Sequence, residues 1–302
     1  MKVFVTGATG FVGSAVVQEL ISAGHEVLGL ARSDVGAKSV AALGAQVHLG
    51  DLGDTESLRS GAMGADAVIH TAFNHDFLNY GAAVQTDTRA IETLGEALAG
   101  SGGRLIVTSG TLVLQRKEPV IVESDSPDPA FPRKSEDAAR AVAARGVNVS
   151  IVRLPPSVHG DGDHGFVPTL IAIAREKGAS AYIGEGLNRW PAVHRLDAAR
   201  LYRLALEKAP AGISNYHGVG DEGILTREIA QVIGRKLNLP VVSKSREEAA
   251  DHFSWLAHFF AMDGLASSKW TQQQLGWEPQ HVGLIADLEH GWYFEQVGEL
   301  VS

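Results

Sequence analysis

The sequence predicts an α/β protein: a parallel sheet wound by helices on both faces, with a smaller, mostly helical C-terminal lobe. Three observations carry that expectation. Short runs rich in Val and Ile alternate with helical stretches through the first half. A glycine-spaced turn joins the first run to the first helix. After Leu154 the alternation gives way to helices. Near-continuous apolar strands separated by helices are the pattern of a sheet buried on both faces, since each parallel crossover lays a helix across it.

Taken in order, residues 3–6 form the first strand, and residues 11–23 a helix that Gly24 closes. Strands follow at 26–31, 46–49, 67–70, 105–108 and 149–152, with a seventh at 215–219. Helices at about 54–63, 80–99 and 133–145 fill most of the gaps. Pro155-Pro156 then opens an irregular stretch containing Gly160, Gly162 and Gly165. Helices dominate from there, at 166–177, 197–207, 226–237, 246–260 and 282–296. The division expected is a dinucleotide-binding domain of residues 1–154 plus about 190–220, and a substrate lobe of about 155–189 plus 221–302.

Composition excludes several classes. With 302 residues the chain buries a core without staples. Zero cysteines remove disulfides, thiolate metal cages and a cysteine nucleophile, and fit a reducing, cytoplasmic setting. A net charge of −9 argues against broad binding to nucleic acid or an anionic membrane. The uncharged N-terminal run from Val3 to Gln18 is glycine-broken and shorter than a membrane span of about 20 residues, so it reads as strand, turn and helix.

That turn is Gly7-Ala8-Thr9-Gly10-Phe11-Val12-Gly13. Gly7 permits the tight turn, Gly10 lets backbone approach a pyrophosphate, and Gly13 lets helix and sheet pack closely. The helix N-terminus offers unpaired N–H groups and the positive end of its dipole to phosphate. The context makes this a Rossmann-type doubly wound parallel sheet with a cofactor at its glycine loop. At the end of the second strand stand Arg32 and Ser33, where an acid would bind a ribose hydroxyl and repel a 2′-phosphate. A guanidinium and a hydroxyl suit a phosphate, so NADP(H) is favoured over NAD(H).

The GxxGxxG spacing resembles the extended, epimerase-like branch of the short-chain dehydrogenase/reductase superfamily. Further matches run in order along nearly the whole chain. Asp51-Leu52 resembles the acid that reaches the adenine ring. Val68-Ile69-His70-Thr71-Ala72 resembles "VIHxAA", and Val107-Thr108-Ser109 resembles "TSS". Arg153 to Gly160 resembles "RPxxVYG", Val193 to Asp197 "VHVDD", and Lys269 with Leu275 to Pro279 "SKAxxxLGWxP". The resemblance implies cofactor contacts at Gly7, Thr9, Gly10, Phe11, Val12, Gly13, Arg32, Ser33, Asp51, Leu52, Thr71, Ala72 and Pro155.

The family's proton relay is a tyrosine followed four residues later by a lysine, with a serine or threonine orienting the carbonyl. The five tyrosines are Tyr80, Tyr182, Tyr202, Tyr216 and Tyr293, and four residues on stand Val84, Gly186, Leu206, Gly220 and Val297. No YxxxK exists in the chain. The aligned positions hold about Asp128 and Pro132, the usual helix asparagine is replaced by Asp87, and the serine survives as Ser109. The chain thus resembles an atypical subgroup. Ser109 is the expected orienting group, and His75, or water held by Ser109, the expected proton donor. Phe73, His159, Tyr182 and Trp190 are the expected substrate-pocket residues.

His159 to His164 lacks the spacing of a zinc helix or a calcium loop, so no metal is expected. Asp197 reads as the N-cap of the helix it opens. No GxSxG elbow exists, which rejects a serine hydrolase. The expectation is an NADP(H)-dependent oxidoreductase reducing a carbonyl of a small organic molecule. The alternatives are a nucleotide-sugar epimerase or dehydratase, and a non-catalytic NADP(H)-binding sensor. A homodimer and a monomer are both open.

Overall fold

A computed structural model describes residues 1–74, 79–290 and 292–294. The elements are β1 (Lys2–Thr6), α1 (Phe11–Ser22), β2 (Glu26–Ala31), α2 (Asp34–Ala42), β3 (Gln46–Leu49), α3 (Thr55–Ala62), β4 (Ala67–His70), α4 (Tyr80–Leu98), β5 (Arg104–Gly110), α5 (Ser135–Ala143) and β6 (Asn148–Leu154). The second half adds β7 (Ser157–His159), α6 (Phe166–Lys177), β8 (Ser180–Ile183), β9 (Arg189–His194), α7 (Arg195–Lys208), β10 (Ile213–His217), β11 (Asp221–Leu225) and α8 (Thr226–Leu237). It closes with β12 (Val241–Lys244), α9 (Arg246–Phe253), α10 (Ala257–Phe260), α11 (Lys269–Leu275) and α12 (Leu284–His290).

Seven strands form one parallel sheet in the order β10-β6-β5-β4-β1-β2-β3. The order reverses between β1 and β4, where Val3 pairs with both Val27 and Ala67. At such a switch point the two crossovers leave in opposite directions and open a crevice beyond the strand ends. One face of the sheet packs Val16, Leu20 and Tyr202 from α1 and α7. The other packs Leu58, Ile91, Leu94 and Val142 from α3, α4 and α5. The smaller lobe has its own core around Trp190, Ile229, Phe253 and Phe260. It is mostly helical, with a three-stranded sheet β11-β9-β7 and a pair β12-β8 that periodicity did not reveal. No helix of the described residues is long and apolar enough to cross a membrane.

Several local expectations shift. Helix α2 is an addition: Ser33 Oγ accepts the Gly36 N–H and caps it. The seventh strand begins earlier, at Ile213, because its register sets Ile213 opposite Val149. The helix expected over 246–260 breaks at Ser254, whose φ of 53° leaves the helical region. The break leaves Trp255 44 % exposed while Phe253, Leu256 and Phe260 stay buried. Helix α7 starts at Arg195 and is capped by His194 Nδ1, which accepts the Leu196 N–H. Asp197 is therefore not the cap. Its buried carboxylate accepts instead from the Gln280 and His281 amides, fastening the C-terminal segment to α7. The helix expected over 282–296 is α12 followed by a separate turn at Trp292–Phe294, and residues 295 and 296 lie outside the described residues.

Candidate functional site

A cavity of about 900 Å³ lies at the C-terminal ends of the strands, over the switch point. One end is the glycine loop. Gly7 takes a φ of +71°, open to glycine at little cost. A Cβ on Gly13 would stand 2.0 Å from the Gly7 carbonyl oxygen, so α1 approaches the turn closer than any side chain allows. Gly10 is the N-cap and brings no side chain to the first turn of α1. Gly10, Phe11, Val12 and Gly13 line the cavity, and the first-turn N–H groups of a helix have no partner within it, which suits them to a ligand's phosphates. This cradle fits a dinucleotide.

Most of the residues expected around such a cofactor line this cavity: Thr9, Phe11 and Val12 in the loop, Arg32 after β2, Asp51 and Leu52 after β3, Thr71 and Ala72 after β4, and Pro155 after β6. Thr71 Oγ1 donates to the Thr6 carbonyl at 2.7 Å and ties the turns after β1 and β4 together. Asp51 Oδ1 accepts the Gly53 N–H at 2.8 Å. Ser33 is outside the lining, since its hydroxyl caps α2.

The cavity continues past the end of β5. Ser109 is 3 % exposed and lines the wall. Its neighbour Thr108 donates to the His70 carbonyl at 2.7 Å and bonds the Tyr202 hydroxyl at 2.6 Å. Burial pushes the Tyr202 phenol well up, so that group stays protonated behind the wall. Arg133, just before α5, reaches the same strand end. Its Nε donates to Ser135 Oγ at 2.9 Å, an Nη donates to the Thr108 carbonyl at 3.1 Å, and its guanidinium lies 4.3 Å over the Phe73 ring. Ser135 Oγ in turn donates to Asp87 at 2.5 Å, and Asp87 meets His70 Nε2 at 3.1 Å. His70 Nδ1 bonds Thr6 Oγ1 at 2.8 Å. Burial pushes the Asp87 carboxyl up, but the bonds from His70 and Ser135 and the charges of His70 and Arg133 outweigh it and hold it below the usual carboxylate range.

Of the expected pocket residues, Phe73 lines the cavity. The other three stand off it. Trp190 is fully buried against Phe166 and Phe260, with ring centroids 5.6 and 5.1 Å away. His159 is also buried, bonding Asp287 at 2.8 Å. Tyr182 sits on β8, opposite Ser243 of β12. Trp190 and His159 are turned by their strands into the lobe's core, whereas Tyr182 is half-buried on β8, between the core residues Ala181 and Ile183 and on the other face of the strand. His75 lies outside the described residues. The Asp161–His164 segment spends its groups locally: Asp163 accepts from the Gly165 amide and the Tyr293 hydroxyl, and His164 bonds the Gly162 carbonyl. Among the described residues no group of three or more His, Asp or Glu could hold a metal.

Sequence reasoning missed Tyr80, Phe131, Arg133, Phe166, Trp255 and Phe259, all of which line the cavity. Arg133 carried a faint signal, standing one residue past the position aligned with the family's lysine. Tyr80 sits with its ring 6.0 Å from Phe73. Burial pushes its phenol up, the Arg133 charge pulls it down, and Asp87 adds to the rise.

The sequence matches the NAD dependent epimerase/dehydratase family over residues 3–217. It is 51 % identical over 296 residues to an uncharacterised protein of Schizosaccharomyces pombe, covering 97 % of this chain and 100 % of that one. It is 28 % identical to a 2-alkyl-3-oxoalkanoate reductase of Stenotrophomonas maltophilia, over 81 % of this chain and 78 % of the reductase. Among solved structures it resembles the dTDP-glucose 4,6-dehydratase DesIV from Streptomyces venezuelae with NAD and TYD bound, at 23 % identity and a TM-score of 0.78, covering 98 % of each chain.

Proposed function

The chain belongs to the NAD dependent epimerase/dehydratase family, and from that premise we propose that it is a nicotinamide-dependent oxidoreductase that reduces a carbonyl of a small organic substrate. The observation that carries this reading is the continuity of the cavity: one space joins the glycine cradle, the Ser109 wall and an apolar end in the second lobe. A cofactor bound there supplies the hydride. The first-turn amides of α1 hold its pyrophosphate, and Asp51 and Leu52 border its adenine end. Arg32, in the wall where the chain leaves β2, favours a 2′-phosphate and hence NADP(H). The Ser109 hydroxyl donates to the substrate carbonyl oxygen and fixes its orientation, while Leu112, Val113 and Leu154 keep water from the reacting face.

The far end of the cavity supports a carbonyl reductase over a nucleotide-sugar enzyme. Its wall is Phe166, Trp255 and Phe259, whose rings cluster, and the cations among the described residues of the cavity, Arg32 and Arg133, stand instead after β2 and beside the Ser109 wall. The S. maltophilia relative, named as a reductase of 3-oxoalkanoates, supports including alkyl ketones among the substrates tried.

The test is NADPH oxidation across a panel of ketones and aldehydes with wild type and Ser109→Ala. Wild type turns over some of the panel, and the variant loses about 10²–10³ in kcat with cofactor affinity retained, the typical cost of one oriented donor. A wild-type protein that binds NADPH and reduces nothing refutes the reading. An isomerised product with no net NADPH change assigns an epimerase instead.

A further inference from the structure

We propose that Tyr80 is the proton donor of this site and that Arg133 positions it, so that a tyrosine on α4 and an arginine before α5 together replace the missing tyrosine–lysine pair. The inference rests on the reductase reading above and deepens it by naming the acid.

Elimination among the described residues gives the first argument. Of the five tyrosines, Tyr202 is fully buried and engaged with Thr108, and Tyr216 is fully buried beside Trp270. Tyr293 is buried against Asp163, and Tyr182 stands on β8 away from the cavity. Tyr80 alone lines it. His164 also lines it, but its ring meets Phe11 of the glycine loop at 5.8 Å and its Nδ1 is engaged with the Gly162 carbonyl. Asp163 is held by the Gly165 amide and Tyr293.

The second argument is placement. Arg133 bonds the carbonyl of Thr108, the residue before Ser109, and covers the face of Phe73, whose ring neighbours that of Tyr80. Tyr80, Phe73, Arg133 and Ser109 therefore border one stretch of the wall. Charge is the third argument. Among the described residues, the charges acting on Tyr80 are the Arg133 guanidinium and, from its own helix, the Asp87 carboxylate, with His70 of β4 behind Asp87. Burial keeps the phenol protonated at neutral pH, as an acid must be. The guanidinium stabilises the phenolate left when the proton departs.

The step balances. As the substrate's carbonyl carbon accepts hydride, its π pair moves to oxygen. The Tyr80 O–H bond breaks and that proton closes the new hydroxyl. The product is an alcohol, the nicotinamide is oxidised, and the Tyr80 phenolate takes a proton from water before the next turnover.

Two readouts test it. The first needs no cofactor: an ultraviolet phenolate titration of wild type minus that of Tyr80→Phe isolates the Tyr80 ionisation. Arg133→Gln shifts that midpoint upward and Arg133→Lys returns it toward wild type. An Arg133→Gln protein with the wild-type midpoint overturns the pairing. The second is turnover. Tyr80→Phe, which keeps the ring against Phe73, lowers kcat by about 10²–10⁴ with NADPH affinity unchanged, the usual loss for a general acid. If wild type reduces carbonyls and Ser109→Ala is impaired while Tyr80→Phe keeps wild-type kcat, the donor lies elsewhere and the reductase reading stands. If wild type reduces nothing on the panel, both fall together.

Discussion

Substituting Gly13 by alanine isolates how much of this site is the close approach of α1 to the first turn. In an open helix a Gly→Ala change gains about 1 kcal/mol. Here the added Cβ would sit 2.0 Å from the Gly7 carbonyl oxygen, 2.7 Å from its carbon and 2.8 Å from Thr71 Oγ1. Reaching ordinary contact means moving backbone by about 1 Å or more. Gly7 has little room to retreat, because its own Cβ position lies 2.7 Å from the Ala72 nitrogen, and its carbonyl accepts the Gly10 N–H at 2.9 Å. Overpacking costs about 1–3 kcal/mol and a lost hydrogen bond about 1 kcal/mol, so the clash outweighs the propensity gain. With unfolding entropy of about 2.1 cal/mol/K per residue, a net loss of about 1–3 kcal/mol lowers Tm by roughly 2–5 °C. The cofactor loses more. Each charge-assisted bond forfeited at the displaced helix N-terminus is worth about 1.5–3 kcal/mol, or roughly ten- to a hundredfold in Kd. Thermal melts with and without NADPH, beside a direct Kd measurement, read both effects. Gly81→Ala on α4, where a Cβ meets nothing within 4 Å among the described residues, is the matched control and leaves Tm unchanged or higher. A Gly13→Ala protein with wild-type Tm and wild-type Kd would refute the reasoning.

Arg32→Ala weakens NADPH by about ten- to a hundredfold and NADH far less, the worth of a charge-assisted phosphate contact. Wild-type protein that binds NADH more tightly than NADPH would sink the cofactor assignment. The Arg153–Glu136 pair is fully buried, with both guanidinium–carboxylate bonds at 2.8 Å. Glu136→Ala strands the guanidinium and destabilises by about 3–5 kcal/mol in denaturant melts. His217 sets an acid limit: burial, with the Arg153 charge beside it, pulls its pKa down to about 3. The unfolded chain binds that proton near pH 6.5, so its contribution is complete above about 6.5 and is lost toward pH 3 at about 1.4 kcal/mol per pH unit. Asp163, raised by burial, works in the opposite sense at low pH. Stability measured against pH in His217→Asn should therefore fall less steeply below about pH 6.5 than in wild type.

The sheet and the cradle were legible because their signals are local. A strand's run of Val and Ile, a glycine spacing and a helix cap each lie within a few residues, and the alternation of strands with helices makes the sheet parallel. The wall around Ser109 was not, because it is built from distant residues. Tyr80 starts a helix and Arg133 precedes another, and only the packing of α4 against α5 brings them to Phe73. The aromatic end was hidden for a different reason. A regular helical pattern runs through residues 246–260, and nothing in it announces the turn at Ser254 that places Trp255 at the cavity. Trp190 and His159 misled because residue type suggested a pocket, whereas their strands turn them into the lobe's core.

The buried arginine of the Arg153-Leu154-Pro155-Pro156 stretch explains how this wall keeps its shape without the usual lysine. Arg153, next to last in β6, grips Glu136 of α5, while its remaining N–H groups donate to the Glu123 and Asp125 carbonyls and to His217 Nε2. His217 can accept that bond only as the neutral ring, its Nδ1–H being directed at the Ser267 carbonyl, which agrees with its depressed pKa. The start of α5 is thereby fixed to the sheet one residue beyond Ser135, whose hydroxyl joins Arg133 to Asp87. The position of Arg133 thus follows from a buried ion pair on the far side of the helix start, not from the loop that precedes it. A cation held in that way is already oriented before substrate arrives, and preorganised charge is where low-dielectric sites gain most of their advantage over water. With about Pro132 at the position of the family's lysine, the site lacks that side chain but keeps a positive charge in Arg133.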